Sequence, residues 1–169
     1  AYHQYTPGSG KLSVKGFTTF KISITSSTNI TYFSGYDYPG YSGWLTYPIL
    51  KANFNTPNLA SLENSFRIYF PLLESVVFSC TLNYVTSLDN SFYQAVSLKE
   101  ISFPASLPIC TTAEGAFSYI NSYANIELPN LPLCTSFNSI FKNSNLNKII
   151  FNSCPSVNDA TYMLYSATI

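Results

Sequence analysis

The chain has 169 residues, 46% of them hydrophobic, with a formal net charge of zero, which suits a single domain with a continuous apolar core. Charged residues make up only 9%, against about 25% in ordinary soluble domains, so Tyr, Ser, Asn and Thr must carry the surface. A neutral chain argues against nucleic acid, which requires a basic face to displace counterions, and against a polybasic membrane contact; no apolar run approaches the roughly 20 residues of a spanning helix.

Residues 1–45 read as a β-rich N-terminal cap. The stretch "KLSVKGFTTFKISIT", Lys11–Thr25, has strand composition and is expected to form a hairpin or a strand cap over the open end of the domain formed by residues 46–169. The chain begins at Ala1 rather than Met, so a processed polypeptide or an excerpt is expected. Next comes "YFSGYDYPGYSGW", Tyr32–Trp44, which its glycines and proline mark as loop. Exposed tyrosines bring large contact area at low entropic cost, and rings can stack on sugar faces, so Tyr36, Tyr38 and Tyr41 are candidate binding residues. The alternative is that these rings pack down as a cap. Trp44 is expected to be buried, because it lies five residues before Ile49 as Phe141 lies five before Leu146.

From residue 46 onward the sequence repeats. "SLENSF" at Ser61–Phe66 returns as "SLDNSF" at Ser87–Phe92. A second signature accompanies each copy: an apolar residue, two variable ones, an aliphatic, one variable, then an apolar residue. It occurs at Ile49–Phe54, Leu73–Phe78, Leu98–Phe103, Tyr123–Leu128 and Leu146–Phe151, in steps of 24, 25, 25 and 23 residues. Phe66, Phe92, Phe117, Phe141 and then Leu164 keep the same period. Two independent landmarks at one spacing are the mark of a solenoid, whose units cannot bury an apolar side alone and must stack.

Within a unit, Ile101 and Phe103 follow the period of two of a strand, and Pro104, which lacks a ladder N–H, ends it. The next segment, "CTTAEGAFSYI", offers Thr111 and Glu114 as a capping box, and Thr86 and Asp89 repeat the device. Each unit therefore reads strand, proline-containing turn, short capped helix. The expected fold is an α/β solenoid of about five units of 23–26 residues, a parallel sheet plus short helices, over residues 46–169. Glu63, Asp89 and Glu114 sit three residues before the repeated Phe; they read as helix N-terminal complementation or as a cation ladder, and Asn138 and Thr161 in the later copies speak against a metal. Cys110 and Cys134 each lie seven residues before their Phe and are expected to stack on neighbouring turns, as two buried thiols or as a bridge. There is no Cys-x-x-Cys pair and the sole histidine is His3, so no zinc site or other cofactor is expected.

The stretch "LKEISFPASLPICTTAEGAFSYINSYANIELP" resembles the BspA-type leucine-rich repeat, whose units carry L-x-x-I-x-L-P and then a-F. The resemblance covers about Ile49 to Leu164. Tyr123 stands where the family has leucine, and the family's Cys after the Phe is missing. "LPLCTSFNSIF" is similar to divergent repeats of surface lipoproteins and phage tail proteins. The resemblance implies a leucine-rich-repeat-like solenoid that displays a surface on adhesins, host-interaction proteins or virion fibres, without catalysis.

The expected binding face is the outer side of the sheet. Its variable positions form two rows: Lys51 and Asn53, Ser75 and Val77, Glu100 and Ser102, Asn125 and Glu127, Lys148 and Ile150. Their mixed chemistry suits a protein or glycan better than a charged polymer. Ile169 falls five residues after Leu164, where the next strand would begin, so the expectation is that the polypeptide continues or that another chain covers this end. No G-x-S-x-G elbow or phosphate loop occurs, and the expected function is non-enzymatic: extracellular attachment on a virion or cell surface, with a host surface protein or glycan as partner. A structural subunit of a virion appendage or extracellular filament, contacting its neighbours as an oligomer, is the alternative.

Overall fold

The computed structural model describes Tyr2–Tyr5, Phe20–Thr25, residues 49–68 and residues 70–169. They form one parallel sheet of seven strands: β1 (Tyr2–Tyr5), β2 (Phe20–Thr25), β3 (Ile49–Asn55), β4 (Ser75–Phe78), β5 (Glu100–Ser102), β6 (Ala124–Glu127) and β7 (Leu146–Ile150). The spatial order of the strands is their order in the chain. The chain thus winds as a β-solenoid of about four turns, each rung laying one strand beside its predecessor. β1 and β2 join the same sheet in parallel. Of the stretch Lys11–Thr25, expected as a hairpin or strand cap, residues 11–19 lie outside the described residues. The aromatic loop and Trp44 lie outside the described residues.

The core follows the two sequence landmarks. Phe54, Leu73, Val76, Leu98, Ile126 and Leu128 point inward from or beside the strands and are buried. Opposite them, Phe66, Phe92, Phe117 and Phe141 stack in one column, with successive centroids 5.0, 5.4 and 5.6 Å apart and interplanar angles of 9, 6 and 17°. Offset stacking of this kind adds about 0.5–1.5 kcal/mol per pair beyond burial. Three expected inward positions are corrected: in the last rung Phe151 and Leu164 are exposed, with no further rung over them among the described residues, and the third lies in an inner rung. Tyr123 is 66% exposed, while Ala124 is fully buried and pairs with Leu146. The register shifts by one residue between Ala124 and Asn125, so in this rung the small Ala124 fills the space that leucine holds elsewhere and Tyr123 is turned out.

The expected helices are not there. Among the described residues no α-helix occurs, and the α/β reading is corrected to an all-β solenoid. The reason lies in the backbone. Asn64, Asn90, Gly115, Ser139 and Tyr162, each two residues before the repeated Phe or Leu, all have φ between 51 and 59°. Gln94, Tyr119, Asn143 and Ser166, two residues after it, have φ between 53 and 61°. A left-handed residue every fourth position cannot continue a right-handed helix. The peptide N–H groups go instead to the next rung. Leu88, Asn90, Phe92 and Gln94 donate to the carbonyls of Thr112, Glu114, Ala116 and Ser118 at 2.8–3.0 Å. Ala113, Gly115, Phe117 and Tyr119 repeat this onto Ser136, Asn138, Ile140 and Lys142. At these positions the backbone–backbone bonds between rungs run from N–H on one rung to C=O on the following one.

The capping-box residues are used otherwise. The hydroxyls of Thr86, Thr111 and Thr135 donate to the carbonyls of Ala60, Thr86 and Thr111 at 3.2–3.3 Å, a threonine ladder along the axis. The residue one later makes the local turn: Ser61, Ser87, Ser136 and Asp159 accept from the N–H two residues on, a side-chain mimic of a backbone turn.

Candidate functional site

The outer face of the sheet carries the ten predicted positions in register. Lys51, Ser75, Glu100, Asn125 and Lys148 are successive partners across β3 to β7 and form one row. Asn53, Val77 and Ser102 form the second row on β3–β5, and Glu127 pairs with Ile150 on β6–β7. Seven of them are exposed, and Val77 and Ile150 are half-buried. Ser75 departs from expectation: it is only 4% exposed, since its short side chain lies between the longer Lys51 and Glu100. Tyr36, Tyr38 and Tyr41 lie outside the described residues.

Short polar ties hold the rows. Ser79 donates to Asn53 Oδ1 at 2.7 Å, and Asn147 Nδ2 donates to Asn125 Oδ1 at 2.7 Å. The first row alternates Lys51, Glu100 and Lys148 with neutral residues, so no single-sign field builds up. Lys99 and Glu74 pair at 2.7 Å beside it, an exposed contact that contributes about 0–1 kcal/mol. At the C-terminal end of β5 and β6 the face continues into a groove of about 240 Å³ between Phe103–Pro104 and Leu128–Pro129, with Ser102 and Glu127 on its sheet side.

Sequence reasoning missed a second surface, on the arc opposite the strands. Arg67 lies 5.0 Å over the Tyr93 ring, Tyr93 and Tyr119 have centroids 5.2 Å apart, and Lys142 lies over Tyr162 and Tyr165 at 5.5 and 5.8 Å. The signal was present in the sequence. The position after each repeated Phe or Leu reads Arg67, Tyr93, Ser118, Lys142 and Tyr165, a column whose long side chains reach the surface and whose short Ser118 is buried.

The chemistry-bearing side chains do not converge. Burial, and then the neighbouring Cys134 thiol, push the Cys110 thiol up to about 12; burial pushes Cys134 up to about 11. All four cysteines are free, and thiols so raised are packing groups at neutral pH rather than nucleophiles. The column of acids ties rungs together. Asp89 Oδ1 accepts from the Thr112 hydroxyl at 2.7 Å and the Glu114 N–H at 2.8 Å, and Glu114 Oε1 accepts from the Ser136 hydroxyl at 2.9 Å. These bonds replace the helix complementation that the sequence suggested. Among the described residues no three His, Cys, Asp or Glu come together as a metal site, and no helix is long and apolar enough to cross a membrane. Comparison with protein-family models, with curated proteins and with solved structures found no match.

Proposed function

We propose that this chain is a non-catalytic recognition module, displayed on a virion or cell surface and used for attachment to a host protein or glycan. The BspA-like motif residues point the same way. The observation that carries the reading is the sheet's outer face: two register-matched rows of exposed, chemically mixed side chains on a stack whose inner side is closed by apolar packing. Such a face is rigid before it meets a partner, so little ordering entropy is lost on binding.

The test is a screen of the fluorescently labelled chain on arrays of glycans and of receptor ectodomains, wild type against the Ser102→Arg, Asn125→Arg double variant. Support is a ligand whose capture by the variant falls about tenfold or more, a loss of about 1.4 kcal/mol, with the circular dichroism spectrum unchanged. No captured ligand, or capture indifferent to the variant, refutes the reading.

A structural subunit of a virion appendage or extracellular filament is the second reading. It draws on the last rung, where Phe151, Leu164 and Ile169 stand exposed at positions where earlier rungs bury Leu128, Phe141 and Leu146. A native mass that grows with concentration, and a return to monomer on Leu164→Asp, favour this reading over the first.

A further inference from the structure

We infer that the arc opposite the sheet holds a second binding site, separate from the strand face, and that its ligand is a neutral saccharide. The site is a gap in the outward columns. Two residues before the repeated Phe or Leu, the rungs carry Asn64, Asn90, Gly115, Ser139 and Tyr162; one residue after it they carry Arg67, Tyr93, Ser118, Lys142 and Tyr165. Among the described rungs only that of Phe117 has minimal side chains in both columns. Gly115 has none, and Ser118 is buried with its hydroxyl donating to the Ser139 carbonyl. The result is an open groove of about 310 Å³, at the lower end of the range for small-molecule sites.

Glycine is not needed there for backbone reasons. The equivalent residues Asn64, Asn90 and Ser139 adopt φ of 56, 51 and 56° with side chains attached, against 59° for Gly115. A Cβ on Gly115 would come within 2.7 Å of Asn90 Oδ1. The place of the missing side chain is taken by the Asn90 carboxamide, which leans over Gly115 and forms part of the groove wall.

The walls fit a sugar. Tyr93 and Tyr119 meet at 59°, two tilted rings of the kind whose apolar faces pack against sugar C–H groups while their hydroxyls stay wet. Arg67 braces Tyr93, and the Tyr119 backbone is fixed by its N–H bond to the Lys142 carbonyl at 2.9 Å, so the rings are preorganised. Asn90 and Asn138 offer amide donors and acceptors, the pairing a hydroxyl-rich ligand requires. The groove is lined by one charge of each sign, Glu114 and Lys142, and the Lys142 ammonium already lies over Tyr162 and Tyr165. A polyanion or an acidic peptide finds no net attraction in such a groove.

The experiment is saturation-transfer difference NMR on the full chain with four neutral disaccharides: lactose, maltose, cellobiose and N,N′-diacetylchitobiose. The expected result is transfer to the ring protons of at least one sugar. That signal should be lost in Gly115→Asn, which fills the groove with the residue that two other rungs carry, and in Tyr119→Ala. It should persist in Ser102→Arg on the sheet face. Thermal unfolding of each variant within a few degrees of wild type shows that the stack is intact. If Tyr119→Ala fails that check, Gly115→Asn alone decides. The inference is overturned if no disaccharide shows transfer, if transfer survives Gly115→Asn, or if Ser102→Arg removes it, which would place the sugar on the strand face.

Discussion

Replacing Phe92 by alanine should test the stacked-ring core directly. The ring is fully buried and lies between Phe66 at 5.0 Å and Phe117 at 5.4 Å, nearly parallel to both. A buried Phe→Ala change costs about 3–5 kcal/mol. The two lost stacks contribute about 1–3 kcal/mol of that, so the upper part of the range is expected. Leu164 holds the same column position in the last rung but is 41% exposed; keeping about three fifths of a leucine's burial, its alanine variant should cost about 1–2 kcal/mol. Phe92→Leu, which keeps most of the volume but not the ring, should fall between the two. Urea unfolding followed by circular dichroism reads these differences as midpoint shifts, about 1 M or more for Phe92→Ala. Because rungs touch only their neighbours, hydrogen exchange should show lost protection centred on the rungs of Phe66, Phe92 and Phe117 and fading toward β7. Equal costs at Phe92 and Leu164, or loss of protection spread evenly, would refute the reasoning.

Further outcomes rest on the same geometry. Ser144→Ala should cost about 1–3 kcal/mol, because the buried Ser144 hydroxyl donates to the Phe117 carbonyl at 2.7 Å and accepts the Ile120 N–H at 3.0 Å; an unchanged urea midpoint would show that those groups find other partners. Ile101→Asp should unfold the stack, while Ser102→Asp, on the opposite side of β5, should shift the melting temperature very little. Equal tolerance would overturn the register. Cys110 and Cys134 titrate near about 8.5 when unfolded but at about 12 and about 11 in the fold. The protonated thiols are thus favoured by folding, and the stability they contribute is complete below about pH 8.5 and lost as pH rises through about 11–12. The unfolding midpoint should therefore fall less steeply between pH 8 and 11 in the Cys110→Ala, Cys134→Ala double variant than in wild type. With a thiol reagent at pH 8, the half-buried Cys80 and Cys154 should react in the native chain and the other two only on unfolding; early labelling of Cys110 would contradict its burial.

The period, the strand positions and the inward Phe column were legible because burial imposes them on side-chain type: an apolar residue must recur wherever a rung faces the axis. The outer rows came from strand alternation, and only Ser75, shaded by its long neighbours, departs. The helix was misread because a Ser/Thr with an acid three residues later looks the same whether the acid's neighbours turn right-handed or alternate with left-handed residues. Glycine would have announced the left-handed positions, but here Asn, Gln, Ser and Tyr hold nearly all of them, and only the inter-rung hydrogen bonds make that conformation affordable. Tyr123 was misplaced for a related reason. A one-residue register shift leaves no trace in composition. The groove on the arc was missed because it is made of absent side chains, visible only when the columns are aligned by structure.

The one-way arc bonds have a bearing on how such stacks can meet. At residues 62–66, 88–94, 113–119 and 137–143 the N–H groups that make backbone bonds between rungs look toward the next rung, and the carbonyls they meet look toward the previous one. Their dipoles add along the solenoid axis, as peptide dipoles do in a helix. The two ends of the arc are therefore electrically unlike. Two copies brought together at the same end would oppose donor to donor or acceptor to acceptor, so a two-fold dimer through this surface is disfavoured. Joining unlike ends preserves every bond and leaves a fresh pair of unlike ends behind. Such a contact is heterologous rather than two-fold: the arc has a front and a back.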